Sequence, residues 1–326
     1  MRTGRRELDR PRLVRLGVHV TRYLLRALGS GLFIIWGAVT LVFIIVRMVP
    51  GDQATILLGP DATTEEVEAL REELGLNAPL PVQYGLYLLK VLQLDFGDSY
   101  RFGQPALELV MSRLPATIEL TLAATAIALL GLVLGALAGS RPGSLRDRGI
   151  SGLALTLQAM PTFWVGIMLI LLFSLELQLL PSSGTGSWAH LVLPAVTLAA
   201  PFIALLTRIT RSSVVETMSE GYVQTARSKG LSERRVLTGH VMRNSSIPIV
   251  TIFGLQVGAL LGGAVIVENV FAWPGLGTLL VSAVSNRDYA IVQAGTLVAA
   301  TIVVVLNLTV DLLYAQLDPR IRLVRS

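Results

Sequence analysis

The sequence has no cysteine, which excludes a disulfide framework, a thiol nucleophile, thiolate zinc sites and iron–sulfur clusters. Charge is scarce too. Asp, Glu, Lys and Arg make up 15% of the 326 residues, where soluble domains carry about a quarter, and 52% of the chain is apolar. Such a chain cannot cover itself with a polar surface, so the pair of soluble domains its length would allow is excluded. Histidine is confined to His19, His190 and His240, too scattered for a metal site. No Gly-x-x-x-x-Gly-Lys-Ser/Thr loop occurs, so the chain has no phosphate cradle with which to hydrolyse ATP.

What the chain has instead is long uncharged apolar runs. A membrane helix needs roughly twenty such residues. Six runs fit: Ala27–Val46, Leu120–Ser140, Gly149–Leu175, Leu191–Thr207, Ile247–Val267 and Tyr289–Val310. The fourth is the shortest and contains Pro194 and Pro201; the third contains Pro161. Proline within a span is tolerated where neighbours satisfy the freed carbonyl.

Lys and Arg collect on the cytoplasmic side of membrane proteins. Here the only basic residues outside the N-terminus, the loops after spans two and four and the C-terminus are Arg47, Arg71, Lys90, Arg101, Arg113 and Arg287. Both termini are therefore expected in the cytoplasm, and the net charge of +5 needs no nucleic acid. A cleaved signal peptide is disfavoured, because the first run is long and no small-x-small site follows it.

These readings predict an all-α polytopic membrane protein. Its parts are a basic cytoplasmic N-terminus (1–26), a first transmembrane helix (27–46), an extracytoplasmic segment (47–116), a five-helix core (117–315) with a cytoplasmic loop at 208–246, and a cytoplasmic tail (316–326). In the outer segment, Thr63 or Thr64 is expected to cap a Glu-rich helix ending near Gly75, followed by an apolar stretch at Val82–Leu94. That segment is too short for an enzyme domain with its own core. It is expected to lie over the membrane domain or to receive an external partner.

The most informative stretch is the long basic loop. Ser219 and Glu220 can start a helix with Tyr222 and Ala226 on one face, and Gly230 can end it in a left-handed conformation. Ser232 can cap a second helix that opens on Glu233, with Val236, Leu237, His240 and Val241 sharing a side. The bland alternative is a basic amphipathic loop resting on anionic headgroups.

The run Thr225-Ala226-Arg227-Ser228-Lys229-Gly230-Leu231-Ser232 resembles the cytoplasmic loop of ABC-importer permeases, specifically the dipeptide/oligopeptide/nickel branch, whose loop typically reads Thr-Ala-x-x-Lys-Gly-Leu-Ser. The wider family's Glu-Ala-Ala is replaced by Gln224-Thr225-Ala226, and its distal Ile-x-Leu-Pro by Ile247-Pro248. Further stretches are similar to that branch and follow in order: Arg47-Met48-Val49-Pro50-Gly51-Asp52, Leu74 to Tyr84, Arg113 to Leu120, Pro161 to Trp164, Phe271 to Gly277 and Asp311 to Arg320.

The resemblance implies a type I importer in the bacterial plasma membrane. Two six-span permeases would form the path for di- or oligopeptides delivered by an extracytoplasmic solute-binding protein. Two cytosolic ATPases, which carry the ATP and Mg²⁺, would drive it; this chain would need no cofactor or metal of its own and would be no enzyme. Tyr222, Thr225, Ala226, Lys229, Gly230, Leu231, Ser232 and Arg235 are the residues it assigns to ATPase coupling. The same machinery could import nickel chelates, glutathione or other small solutes.

Two other classes are weaker. Gly149-Ile150-Ser151-Gly152 matches the Gly-x-Ser-Gly of rhomboid-type intramembrane serine proteases, but spans four to six hold no histidine base. An ion-coupled transporter would want ionisable residues near the midplane, and the six runs contain none. Gly131, Gly135 and Gly139, like Gly254, Gly258 and Gly262, are expected to let helices pack closely, and Phe163 and Trp164 to be packing residues.

Overall fold

The computed structural model describes residues 10–48, 53–59, 61–73 and 75–317. The basic residues at 1–9, the Val49-Pro50-Gly51-Asp52 part of the motif after span one, Leu74, and the tail from Asp318 onward lie outside the described residues. In chain order the helices are α1 (Arg10–Met48), α2 (Gln53–Leu58), α3 (Thr64–Glu73), α4 (Leu80–Leu92), α5 (Ala106–Ala128), α6 (Leu130–Gly139) and α7 (Leu145–Ala159). Next come α8 (Thr162–Leu169), which continues as a π-helix over Ile170–Glu176, α9 (Trp188–Met218), α10 (Gly221–Ser228) and α11 (Glu233–Val236). A π-helical stretch, Leu237–Val241, leads into α12 (Met242–Val270), followed by α13 (Leu276–Ser285) and α14 (Tyr289–Leu317).

Among the described residues, five stretches are long and apolar enough to cross a membrane: Ala27–Met48, Ala106–Gly139, Trp188–Met218, Pro248–Val270 and Tyr289–Val310. The third expected span is not straight. It breaks into α7 and α8, bent by 107°, and counts as the sixth crossing only if that pair is taken together. The cause is local: Pro161 pushes the residue before it out of the helical region, and Met160 is extended at φ −83°, ψ 134°. The fourth span, the least regular on sequence, is an unbroken 31-residue helix containing both its prolines.

α9 is the centre of the fold, packed by α5, α6, α7, α8 and α12. Leu193, Leu198, Phe202 and Leu206 of α9 join Leu120 and Ala124 of α5 and Leu260, Ala264 and Val267 of α12 in one buried cluster. The expected glycine stripe on α6 lies directly on α9. A Cβ at Gly131 would sit 2.6 Å from the Ile203 carbonyl oxygen, one at Gly135 2.5 Å from that of Thr207, and one at Gly139 2.9 Å from that of Arg211. The second stripe behaves otherwise: Gly262 has open space beside it, and Gly258 meets only Asn307 Oδ1 at 3.2 Å. Phe163 and Trp164 are exposed on this chain rather than buried between its helices.

α6, α7 and α9 are clasped at one end by charge. Ser144 caps α7 by accepting the Asp147 N–H, and the Asp147 carboxylate accepts Arg211 Nε at 2.5 Å and Nη2 at 2.8 Å, the Gly143 N–H and the Ser151 hydroxyl. Ser151 is thus bound to a carboxylate at a helix start, which agrees with a structural use of Gly149–Gly152. At the other end, Glu268 of α12 is fully buried. It accepts the Thr117 hydroxyl at 2.6 Å and the Thr278 N–H at 3.0 Å, while Thr117 Oγ1 accepts the Leu276 N–H and Trp273 Nε1 donates to the Ala116 carbonyl. The motifs at Arg113–Leu120 and Phe271–Gly277, separate in sequence, are two halves of one closure. Side chains at Gly275 or Gly277 would collide with the Glu268 carboxylate.

In the outer segment the expected capping box is formed. The Thr63 N–H donates to Glu66 Oε2 at 2.8 Å, and the Glu66 N–H donates to Thr63 Oγ1 at 3.3 Å. Gly75 is left-handed at φ +69°. α4 packs on the first span through Tyr84 and Tyr87 against Val39 and Phe43, and Thr40 Oγ1 and the Tyr84 hydroxyl are 2.7 Å apart. Burial, then the nearby Tyr84, pushes the Tyr87 hydroxyl up to about 12, so it stays a donor, to the Val39 carbonyl.

Candidate functional site

The loop between α9 and α12 is shorter than the expected 208–246. Thr207, Thr210, Ser213 and Val214 remain buried, so α9 runs on past Arg208 to Met218, its Arg211 neutralised by Asp147. Only 219–241 leave the two long helices, and α11 and the π-helical stretch already lead directly into α12.

The turn at its tip is a complete C-terminal helix cap. Lys229 ends α10, and Gly230 follows at φ +79°. The Gly230 N–H donates to the Arg227 carbonyl at 2.9 Å, and the Leu231 N–H reaches back to that of Ala226 at 3.4 Å. Those two bonds, with Leu231 packed beside Ala226 in one cluster, make a Schellman motif, whose left-handed residue is nearly always glycine because a Cβ there crowds the carbonyl. A Cβ at Gly230 would touch nothing within 4 Å. The glycine is required for its backbone conformation alone.

Val223, Ala226, Val236 and Val241 are buried with Val214 of α9, and Met218, Leu231, Leu237 and Met242 close the cluster. This small core fixes the tip to both long helices. Val223 was not singled out from sequence, although it lies at i, i+3 from Ala226 and so on the same face. The expected pairing of Tyr222 with Ala226 divides: Ala226 points inward, while Tyr222 is 40% exposed and its hydroxyl accepts Asn244 Nδ2 at 2.6 Å. His240 is exposed, not on the buried side. The π-helix over Leu237–Val241 is the reason, because its wider turn brings Val241 rather than His240 beneath Val236.

Ser232 stands at the N-cap of α11, but its side chain makes no capping hydrogen bond. The acid after it does other work. Glu233 accepts Arg227 Nε at 2.9 Å and Nη2 at 3.1 Å, a fork that ties the end of α10 to the start of α11. Thr225, Lys229, Gly230, Ser232 and Arg235 are all exposed, and Leu231 is half-buried. Lys229, Arg234 and Arg235 have no carboxylate within ion-pair distance among the described residues. The tip is therefore a rigid basic knob, braced from within and open outward. Among the described residues no cluster of His, Asp and Glu could hold a metal ion.

The family model described as "Binding-protein-dependent transport system inner membrane component" matches residues 131–323, and its N-terminal companion matches 20–121. The chain is 40% identical over 311 residues to the oligopeptide transport system permease protein AppB of Bacillus subtilis (strain 168), covering 92% of this chain and 98% of that protein. It is 42% identical over 283 residues to the glutathione transport system permease protein GsiC of Escherichia coli (strain K12), covering 86% and 92%. Among solved structures it matches two crystal forms of the MetNI methionine ABC transporter in inward-facing conformations, with TM-scores of 0.54 and 0.56 at 16% and 18% identity. Each covers 66% of this chain and 98% of that one. At that identity the likeness speaks to the fold alone.

Proposed function

Because the chain belongs to the family of binding-protein-dependent transport system inner membrane components, we propose that this multi-pass permease forms the path by which an ATP-driven importer carries di- and oligopeptides, glutathione included, into the cell. A second homologous permease completes the path. An extracytoplasmic solute-binding protein delivers the peptide, and two cytosolic ABC ATPases bind ATP and Mg²⁺ and hydrolyse it. The names of the relatives, oligopeptide and glutathione permeases, support the substrate class.

The observation that carries the coupling role is the braced tip at Gly230. A knob seated in an ATPase groove transmits force only if it cannot deform, and this one has its own buried core, an internal ion pair and a closed glycine cap. Motion imposed on it passes without a flexible joint into α9 on one side and α12 on the other. Tyr222, Thr225, Lys229, Gly230, Ser232 and Arg235 form the outer contact, while Ala226 and Leu231 support it from beneath. A loop held to lipid by charge alone would need none of this bracing.

The test is peptide uptake in cells beside pull-down of the ATPases. Gly230→Val forces a β-branched residue into the left-handed region and should abolish uptake while the protein still inserts into the membrane. Neutralising Lys229, Arg234 and Arg235 together should weaken ATPase pull-down. Full uptake by Gly230→Val with ATPases still bound would refute the coupling role.

A further inference from the structure

A cavity of about 280 Å³ opens where Arg47, in the last turn of the first span, meets Tyr289, the first residue of α14. Both residues end membrane-crossing stretches, so the cavity lies at the level where acyl chains give way to headgroups on the outer face. One wall is an arginine held ready. Arg47 Nε donates to Gln83 Oε1 at 2.7 Å, and its guanidinium lies 4.6 Å from the centre of the Phe43 ring. Gln83, itself buried, is fixed by donating to the Leu76 and Ala78 carbonyls at 2.8 Å each. The outer edge of the guanidinium has no acceptor and no carboxylate near it among the described residues. A positioned guanidinium fork with its terminal nitrogens unspent is a receptor for an oxyanion.

The remaining walls narrow the ligand. Lys90 and Arg287 add two further cations with no carboxylate in ion-pair range among the described residues, and Asp95 and Asp98 stand exposed on the same lining. Asp288 is already engaged by Ser99 and the Ile291 N–H. The Tyr289 hydroxyl is buried without a partner among the described residues. One Asp95 oxygen accepts the Gly97 N–H at 3.1 Å, which holds the carboxylate in place with its other oxygen open, and cations and exposed carboxylates within one small space suit a group that carries an oxyanion and an ammonium together. Leu86 lines the cavity and belongs to an exposed apolar row of α4, Val82, Leu86 and Leu89, at i, i+4 and i+7, which gives a hydrocarbon tail a surface to follow.

The geometry points to a phospholipid site: the cavity holds a phosphoethanolamine headgroup of the outer leaflet, its phosphate on Arg47 and Lys90 and its ammonium toward Asp95 and Asp98. A lipid held there joins α4 to the first and last spans and anchors the outer segment to the membrane.

The test is native mass spectrometry of the full-length chain, extracted with whatever partner subunits it carries, delipidated and titrated with lipids of matched acyl chains. Phosphatidylethanolamine should bind about tenfold more tightly than phosphatidylcholine, whose trimethylammonium cannot donate to a carboxylate. Arg47→Gln should cost about tenfold in phosphatidylethanolamine affinity; Lys90→Gln, at an exposed position that cannot disturb folding, should lower it less. Arg148→Gln, at an exposed position of α7 outside the cavity lining, should change nothing. Equal binding of the two lipids by the unaltered protein would overturn the proposal, as would unaltered affinity in both cavity variants. Displacement of the lipid by equimolar glycylglycine or inorganic phosphate would also overturn it, by assigning the cavity to a soluble ligand.

Discussion

Gly135 offers the sharpest test of the packing described above. A Cβ there would lie 2.5 Å from both the Thr207 carbonyl oxygen and Thr210 Cβ and 3.0 Å from the Arg211 nitrogen. These are backbone and near-backbone atoms, which no rotamer change can move aside. To reach ordinary contact at 3.4 Å, α6 and α9 must part by nearly an ångström, and the dispersion contacts along their shared face weaken together. Overpacking of this kind costs about 1–3 kcal/mol. Gly→Ala at a helical position with free space instead gains roughly 0.5–1 kcal/mol, and Gly152 in α7 has nothing within 4 Å. Thermal unfolding of the detergent-purified protein should therefore place Gly135→Ala well below the parent and Gly152→Ala at or above it. Gly139→Ala, whose tightest contact is 2.9 Å, should fall between. A Gly135→Ala protein as stable as the parent, or an equal loss from Gly152→Ala, would refute the argument that the α6–α9 distance is set by these glycines.

Three further outcomes follow from polar side chains with defined partners. Glu268→Gln keeps the shape but can accept only one of two donors, Thr117 Oγ1 on one oxygen and the Thr278 N–H on the other, leaving its NH2 facing the second, and should cost about 1–3 kcal/mol, read as earlier thermal unfolding and faster proteolysis at 271–278. Asp147→Asn and Arg211→Gln should each destabilise by about 1–3 kcal/mol and the double variant by clearly less than their sum, since both remove one ion pair; full additivity would argue against the clasp. The Thr63 backbone N–H, and then its hydroxyl, hold Glu66 below the usual carboxylate range. A depressed carboxylate stabilises above its unfolded value, about 4.3, and that support is lost as pH falls through the folded value, so exchange protection of the first amides of α3 should drop on acidification in the parent but not in Glu66→Gln, whose amide oxygen accepts the Thr63 N–H without titrating.

Much of the fold could be read from the chain because lipid demands long uncharged runs, and those runs mark helices with little ambiguity. What could not be read was where each helix bends or stops. Three prolines, each within a long uncharged run, had opposite outcomes: Pro161 breaks its span at Met160, whereas Pro194 and Pro201 sit in an unbroken α9. α9 is surrounded by five other helices, and packing on all sides outweighs a missing N–H. Its extension past Arg208 was hidden for a related reason. Arginine near a helix end reads as the membrane border, but Arg211 is neutralised by Asp147, a partner 64 residues away that no local pattern reveals.

The candidate site divides along the same line. The left-handed Gly230 and the helix on either side were legible, because a glycine after a short amphipathic stretch has a local cause. Which residues face inward was not. Ala226 lies inside and Tyr222 outside, and the π-helical stretch moves His240 out and Val241 in, a register change set by the way α11 must turn to run into α12. Bracing from α9 through Val214 is likewise a tertiary fact. The consequence is mechanical: apart from Gly230 and the Arg227–Glu233 pair, the exposed residues of the tip could be replaced with little loss of stability, whereas Val223 and Val236, both fully buried, could not. Val223→Ala should therefore uncouple ATPase binding from uptake by softening the knob without altering any residue of its outer face. Peptide uptake measured beside ATPase pull-down decides the matter. Unchanged uptake in Val223→Ala would mean that rigidity of the tip is not what transmits the stroke.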